Sequence, residues 1–228
     1  MAVVKSYKIS SVFSSTELKN EVYNLTVENK NLKTNIEEFK EGTITYLDLS
    51  STNIVDIRQY AYRNYENLIE VRLPYGSNFN GQIGGWSFQG CTNLREIYGQ
   101  LTWIDQYAFS GCTSLEHIQV SGYGTDRNLK SIEKYGLENC VSLKSLDLSQ
   151  GSYMMIGDYA FKGCTGLTSL ILPKTTSIYK YAFDGCSSLT SITYRGTKAE
   201  WNARYKDTTW KDNSAITTVK CSDGNISV

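Results

Sequence analysis

The chain has 228 residues, with 23 lysines and arginines balanced by 23 aspartates and glutamates, and it contains one histidine, six cysteines and 17 tyrosines. A formal charge of zero removes the basic footprint that phosphate-rich partners need, so nucleic acid is excluded as a general partner. A single histidine argues against zinc centres and most histidine-based catalysis, and no run approaches the roughly 20 apolar residues of a membrane span.

The chain opens Met1-Ala-Val-Val-Lys, without the apolar run of a secretory signal, so the sequence as given is not expected to be addressed for secretion. Residues 1–13 contain Val3-Val4-Lys-Ser-Tyr7-Lys-Ile9, which reads as a short strand or an attachment segment. Residues 14–42 begin with the capping-box spacing Ser14-x-x-Glu17. Behind it Leu18, Val22, Leu25, Asn29, Leu32, Ile36 and Phe39 alternate by four and three. With Val22, Asn29 and Ile36 at a, and Leu18, Leu25, Leu32 and Phe39 at d, this is a coiled-coil pattern that stops at Gly42. Self-association through this helix, as dimer or trimer, is the expectation, with Asn29 setting register. The alternative is one amphipathic helix lying on the first repeat, since an isolated helix this short is marginal without a partner.

Residues 43–195 are organised by an internal repeat. Ile104, Tyr107, Ala108, Phe109, Gly111, Cys112, Leu115 and Ile118 recur as Ile156, Tyr159, Ala160, Phe161, Gly163, Cys164, Leu167 and Leu170. They recur again as Ile178, Tyr181, Ala182, Phe183, Gly185, Cys186, Leu189 and Ile192. Looser copies start at Ile57, Ile83 and Ile132, and Leu47-x-Leu49 resembles the strand of a partial one. Periods of this length with a Leu-x-x-Leu-x-Leu core indicate a leucine-rich-repeat solenoid. Alternation over the last residues of each unit puts apolar side chains inside, as in a strand. The Ile-x-x-Tyr-Ala-Phe segment is expected to turn the backbone on the opposite side, and Gly or Asn before the cysteine supplies a position tolerant of positive φ. Cysteines at one equivalent repeat position, with no Cys-x-x-Cys pair, read as a ladder of buried thiols, not a metal site.

Residues 196–228 are expected to cover the open end of the stack. Thr197-x-x-Glu200 has capping-box spacing and implies a short helix carrying Trp201 across the last repeat. Asp223-Gly224 reads as the tight turn of a hairpin between Val219–Cys221 and Asn225–Ile226.

The pattern Ile-x-x-Tyr-Ala-Phe-x-Gly-Cys-x-x-Leu-x-x-Ile resembles the BspA-like leucine-rich repeats of gut and oral bacteria and some protists, over about residues 54–228. The segment from Tyr194 through Trp201, Trp210 and Cys221 looks like the module that closes bacterial members. The resemblance implies an α+β repeat fold, a solenoid of about six units, and surface adhesion or ligand recognition in place of catalysis. No phosphate loop, Gly-x-Ser-x-Gly elbow or His-Glu-x-x-His occurs, so neither an enzyme nor a cofactor is expected.

What remains is a surface for a protein or glycan. The outward strand positions of the early repeats carry large or charged groups and the last are small, so the expected binding residues there are Arg72, Tyr98 and His117. Two longer spacers, 75–79 and 122–127, add Tyr75, Tyr123 and Arg127. An oligomeric stalk, a distal binding domain and no secretory signal together look like a bacteriophage fibre or capsid-decoration protein at the virion surface. The alternatives are a bacterial cell-surface adhesin and a cytoplasmic protein-binding scaffold.

Overall fold

A computed structural model describes the two-residue strand Tyr7–Lys8 and residues 44–228 apart from 51, 53, 76–77, 120–127 and 152. The expected coiled coil of residues 14–42, with Leu18, Val22, Leu25, Asn29, Leu32, Ile36 and Phe39, lies outside the described residues, as do Tyr123 and Arg127.

In chain order the first strands are β1 (Tyr7–Lys8), β2 (Tyr46–Asp48), β3 (Glu70–Arg72), β4 (Gln82–Ile83), β5 (Glu96–Tyr98), β6 (Trp103–Ile104) and β7 (His117–Ile118). There follow β8 (Ser131–Ile132), β9 (Ser145–Asp147), β10 (Met154–Ile156), β11 (Ser169–Leu172), β12 (Thr176–Ile178) and β13 (Ser191–Tyr194). The chain ends with α1 (Lys198–Ala203), β14 (Thr218–Cys221) and β15 (Gly224–Ser227).

These strands form a β-solenoid. One side carries β1-β2-β3-β5-β7 and then β9-β11-β13-β14-β15, parallel throughout except for the closing antiparallel pair β14-β15. The other side, expected as a turn, is a second parallel sheet, β4-β6-β8-β10-β12. The reason is register: the residue before each repeat isoleucine stacks on its counterpart in the next turn, as Gln82 does on Trp103 and Ile83 on Ile104, so backbone pairing extends across both sides. Between the sheets the repeat positions fill one continuous core, from Leu47 to Val219, with most members fully buried.

The corner after each strand of the second sheet explains the tyrosines. Tyr60, Trp86, Tyr107, Tyr135, Tyr159 and Tyr181 all adopt left-handed backbone, with φ between 51° and 61°. That conformation aims each of their N–H groups along the solenoid axis, where it donates to a carbonyl of the next turn, as Tyr107 does to Lys134 and Tyr159 to Lys180, at 3.0 and 2.9 Å. It also stacks the rings in one file, with centroids 4.7 to 5.4 Å apart. A left-handed non-glycine residue costs roughly 1–2 kcal/mol, and each ring pair returns about 0.5–1.5 kcal/mol beyond its burial. An inner ring with two neighbours therefore offsets its own strain.

The core carries a second aromatic file. Tyr62, Phe88 and Phe109 stack on one another, as do Phe161 and Phe183, and Leu137 stands in the break between the two groups. Trp210 closes the file edge-on to Phe183, and Trp201 packs edge-on against both Trp210 and Tyr194. The expected capping box forms: Glu200 N–H donates to the Thr197 hydroxyl at 3.2 Å, and the Glu200 carboxylate accepts from Thr197 N–H at 2.7 Å. Helix α1 so buries Trp201. The segment behind it is also wound as a further turn, since Lys206 pairs with Ile178, and Asn213, at φ 59°, accepts from the Gly185 N–H.

The five repeat cysteines are free and buried. Each thiol donates to a carbonyl one turn back, Cys112 to Phe88 and Cys164 to Leu137 at 3.1 and 3.0 Å, for example. Burial pushes all five thiols up, those of Cys91 and Cys186 to about 12. Thiolate is the reactive form, so a disulfide-exchange reagent applied to native protein at pH 8 is expected to label the half-buried Cys221 alone. The other five are expected to react only in denaturant; rapid labelling of several thiols in the native state would contradict the ladder.

The position before the cysteine, or before Tyr65 in the first turn, runs Asn64, Gly90, Gly111, Asn139, Gly163, Gly185, and the glycine that follows each asparagine is there for a steric reason. A Cβ on Gly163, φ 70°, falls 2.2 Å from the Asn139 side-chain oxygen, whereas one on Gly111, φ 77°, meets nothing nearer than 3.8 Å. Gly111→Ala is expected to cost about 1 kcal/mol, the left-handed penalty alone. Gly163→Ala is expected to cost more, and Asn139→Gly beside it to recover the difference. Urea midpoints of the three variants decide; equal costs for the two alanines would remove Asn139 from the account.

Candidate functional site

The outward positions of the first sheet bring three of the expected binding residues together. Arg72 on β3, Tyr98 on β5 and His117 on β7 stand on successive strands, because Arg72 pairs with Tyr98 in register and Glu96 with His117. The inward residues between them, Val71, Ile97 and Ile118, are buried, so the alternation leaves the other side chains no direction but outward.

Arg72 is the hub. Its guanidinium lies over the Tyr46 ring at 5.6 Å and the Tyr98 ring at 5.7 Å. Its Nε donates to Glu70 Oε1 at 2.7 Å, which raises the affinity of the guanidinium for its proton and fixes the side chain. Tyr98 donates its hydroxyl to Glu96 Oε2 at 2.8 Å, and that bond, ahead of burial, holds the phenol above its usual range. The Tyr98 ring sits 5.7 Å from the His117 ring at a 47° tilt. On the far side Tyr75 donates its hydroxyl to Gln119 Oε1 at 2.9 Å. The result is a cluster of aromatic and guanidinium groups over two adjacent rows, braced by two glutamates on the strands of Arg72 and Tyr98.

Tyr46 was not among the expected residues. The signal for it was present, because Leu47-x-Leu49 is the strand of a partial copy and its outward neighbours are Tyr46 and Asp48. The 75–79 spacer departs from the expected presented loop: Tyr75 is exposed, but Phe79 is buried and adds to the core. Towards the C-terminal end the same outward rows hold Ser145 and Asp147, Ser169 and Ile171, and Ser191 and Thr193. Among the described residues no group of three or more His, Cys, Asp or Glu is placed to hold a metal ion.

The model of the BspA type leucine rich repeat region matches this chain in six copies, over residues 10–100, 33–150 and 82–205. The chain belongs to the BspA-type leucine-rich repeat family. Solved structures of leucine-rich repeat proteins share the fold. A leucine-rich repeat protein from Bacteroides ovatus is 24% identical with a TM-score of 0.56, the match covering 79% of this chain and 46% of that one. This chain thus spans under half the length of that protein. The T. pallidum leucine-rich repeat protein is 25% identical with a TM-score of 0.55, covering 66% of this chain and 72% of that one. No curated protein matches the chain.

Proposed function

We propose that this chain is a non-enzymatic recognition module of a bacterial cell-surface adhesin, which docks a protein partner on the face built from Tyr46, Arg72, Tyr98 and His117. The observation that carries the reading is Arg72 held between two tyrosine rings and braced by Glu70. Tyrosine and arginine dominate binding hot spots, and side chains already fixed in place lose little entropy on docking. The BspA-type repeats and the bacterial origin of the solved relatives support a cell-surface setting over the virion fibre or capsid-decoration role. Self-association through residues 14–42 belongs to the same reading, as the means by which a modest site gains avidity.

Beads coated with the protein and settled on epithelial monolayers test the face. Arg72→Glu combined with Tyr98→Ala is expected to lower bead retention at least tenfold, while the unfolding free energy changes by no more than about 1 kcal/mol because these are surface substitutions. Trypsin treatment of the cells is expected to abolish retention. Full retention by the stable variant would move the site off this face, and retention that survives trypsin would overturn the protein partner. Light scattering on the chain with and without residues 1–42 checks self-association: the full chain is expected to be an oligomer and the shortened one a monomer.

A further inference from the structure

The second sheet carries a feature that the docking face does not use. Asp56, Gln82 and Trp103 occupy the same outward register on three successive turns, since Ile57 bridges to Ile83 and Gln82 pairs with Trp103. The two positions after the buried isoleucine hold Arg58 and Gln59 in the first turn and Asp105 and Gln106 in the third, but Gly84 and Gly85 in the second. One rung of side chains is therefore missing, and a groove of about 740 Å³ opens across it. The gap is built in: a Cβ on Gly84 would lie 2.6 Å from the Ile57 carbonyl oxygen and one on Gly85 3.1 Å from that of Gln106, so larger residues do not fit without moving the backbone.

The lining is chemically mixed. Asp56 Oδ1 is shielded from solvent and has no hydrogen-bond partner among the described residues. Gln82 Nε2 donates to Asp105 Oδ2 at 3.0 Å, and both residues line the groove. Burial raises the Asp105 carboxyl above the usual range despite that bond, with the Asp56 charge adding to it. Three carboxylates, Asp56, Asp105 and Glu133, repel an anion, and Arg58 and Lys134 on the same walls oppose a simple cation. Donors and acceptors interleaved on both sides suit a neutral ligand that offers hydroxyls able to do both. Beside Gln82 the Trp103 indole is 38% exposed; no ring of the described residues stacks on it, and only the Lys130 ammonium lies over it, at 5.2 Å. An open indole face next to paired planar polar groups is what the C–H face and hydroxyls of a sugar ring require.

The geometry points to a second binding site in this groove, for a neutral oligosaccharide whose hydroxyls bond to Asp105 and Gln106 while one ring, at the edge of the groove beside Gln82, packs on Trp103. It lies on the other sheet from the docking face and does not depend on it.

Labelled full-length protein on an array of neutral glycans tests this, with spermidine and heparin titrated as cationic and anionic probes. At least one neutral glycan is expected to bind and to perturb tryptophan fluorescence in solution. Trp103→Ala and Asp105→Asn are each expected to weaken that binding at least tenfold, and the exposed Gln106→Ala several-fold without changing the urea midpoint. Arg72→Glu with Tyr98→Ala is expected to leave it unchanged, which separates this site from the docking face. Binding to no neutral glycan would overturn the proposal, as would glycan binding that all three groove variants retain, or tight binding of spermidine or heparin with none of a neutral sugar.

Discussion

Everything in this molecule rests on the hydrogen bonds and ring contacts that join one turn to the next. A single turn has no interior: its isoleucines, phenylalanine and cysteine face a neighbour, and without that neighbour they face water. The left-handed corner residue is where the joining is tightest. By taking φ near 57° it turns its N–H along the axis, and the same rotation lays its ring on the ring of the turn before. Strain and stacking are produced together, so the position selects a large planar side chain at a conformation usually left to glycine. Trp86 substitutes for tyrosine in the second turn and keeps the contact on both sides.

A fixed register between turns has a functional consequence. Side chains at one repeat position form a row whose chemistry is set residue by residue, while the backbone that carries them does not change. The first sheet uses two adjacent rows, Tyr46-Glu70-Glu96-His117 and Asp48-Arg72-Tyr98, to gather Tyr46, Arg72, Tyr98 and His117 on a face that no single segment of sequence contains. Cation–π contacts and the Glu70 and Glu96 hydrogen bonds then hold the face still. The second sheet's side uses the same register in the opposite way, by leaving two consecutive positions of one turn without side chains.

The parts of this architecture that were legible in the sequence are the periodic ones. The recurring Tyr-Ala-Phe-x-Gly-Cys places the core, the thiol ladder and the glycine or asparagine corner, because each must satisfy the same neighbour in every turn. The capping box at Thr197 was readable for a local reason, since its two hydrogen bonds involve residues three apart. What the pattern did not give was anything decided between turns at a variable position. That tyrosine takes positive φ runs against its local preference and follows only from the inter-turn bond. Tyr46 belongs to a copy too partial to align, Phe79 fills a gap left by a longer spacer, and the second sheet needs flanking residues that share no chemistry. The groove was hidden more thoroughly, because its mark in the sequence is two glycines in a chain with 18.

The candidate sites lean on the less regular turns of the solenoid, and of the regular ones only that starting at Ile104 contributes to them, through Asp105, Gln106 and His117. Turns starting at Ile156 and Ile178 keep the full Tyr-Ala-Phe-x-Gly-Cys set, stack their phenylalanines and close on the tryptophans of the cap. The turns starting at Ile57 and Ile83 depart from it, with Tyr62 for phenylalanine, Tyr65 for cysteine and Gly84-Gly85 after the isoleucine. These departures cost stability in the turns that bear them: among the described residues the buried Tyr62 hydroxyl has no hydrogen-bond partner, and neither has that of Ser87. In a stack held together by nearest-neighbour contacts, regular turns can support less stable ones only through the interfaces between them. Both the Arg72 row and the groove draw on those costlier turns, which is where a repeat protein has room to trade packing for recognition.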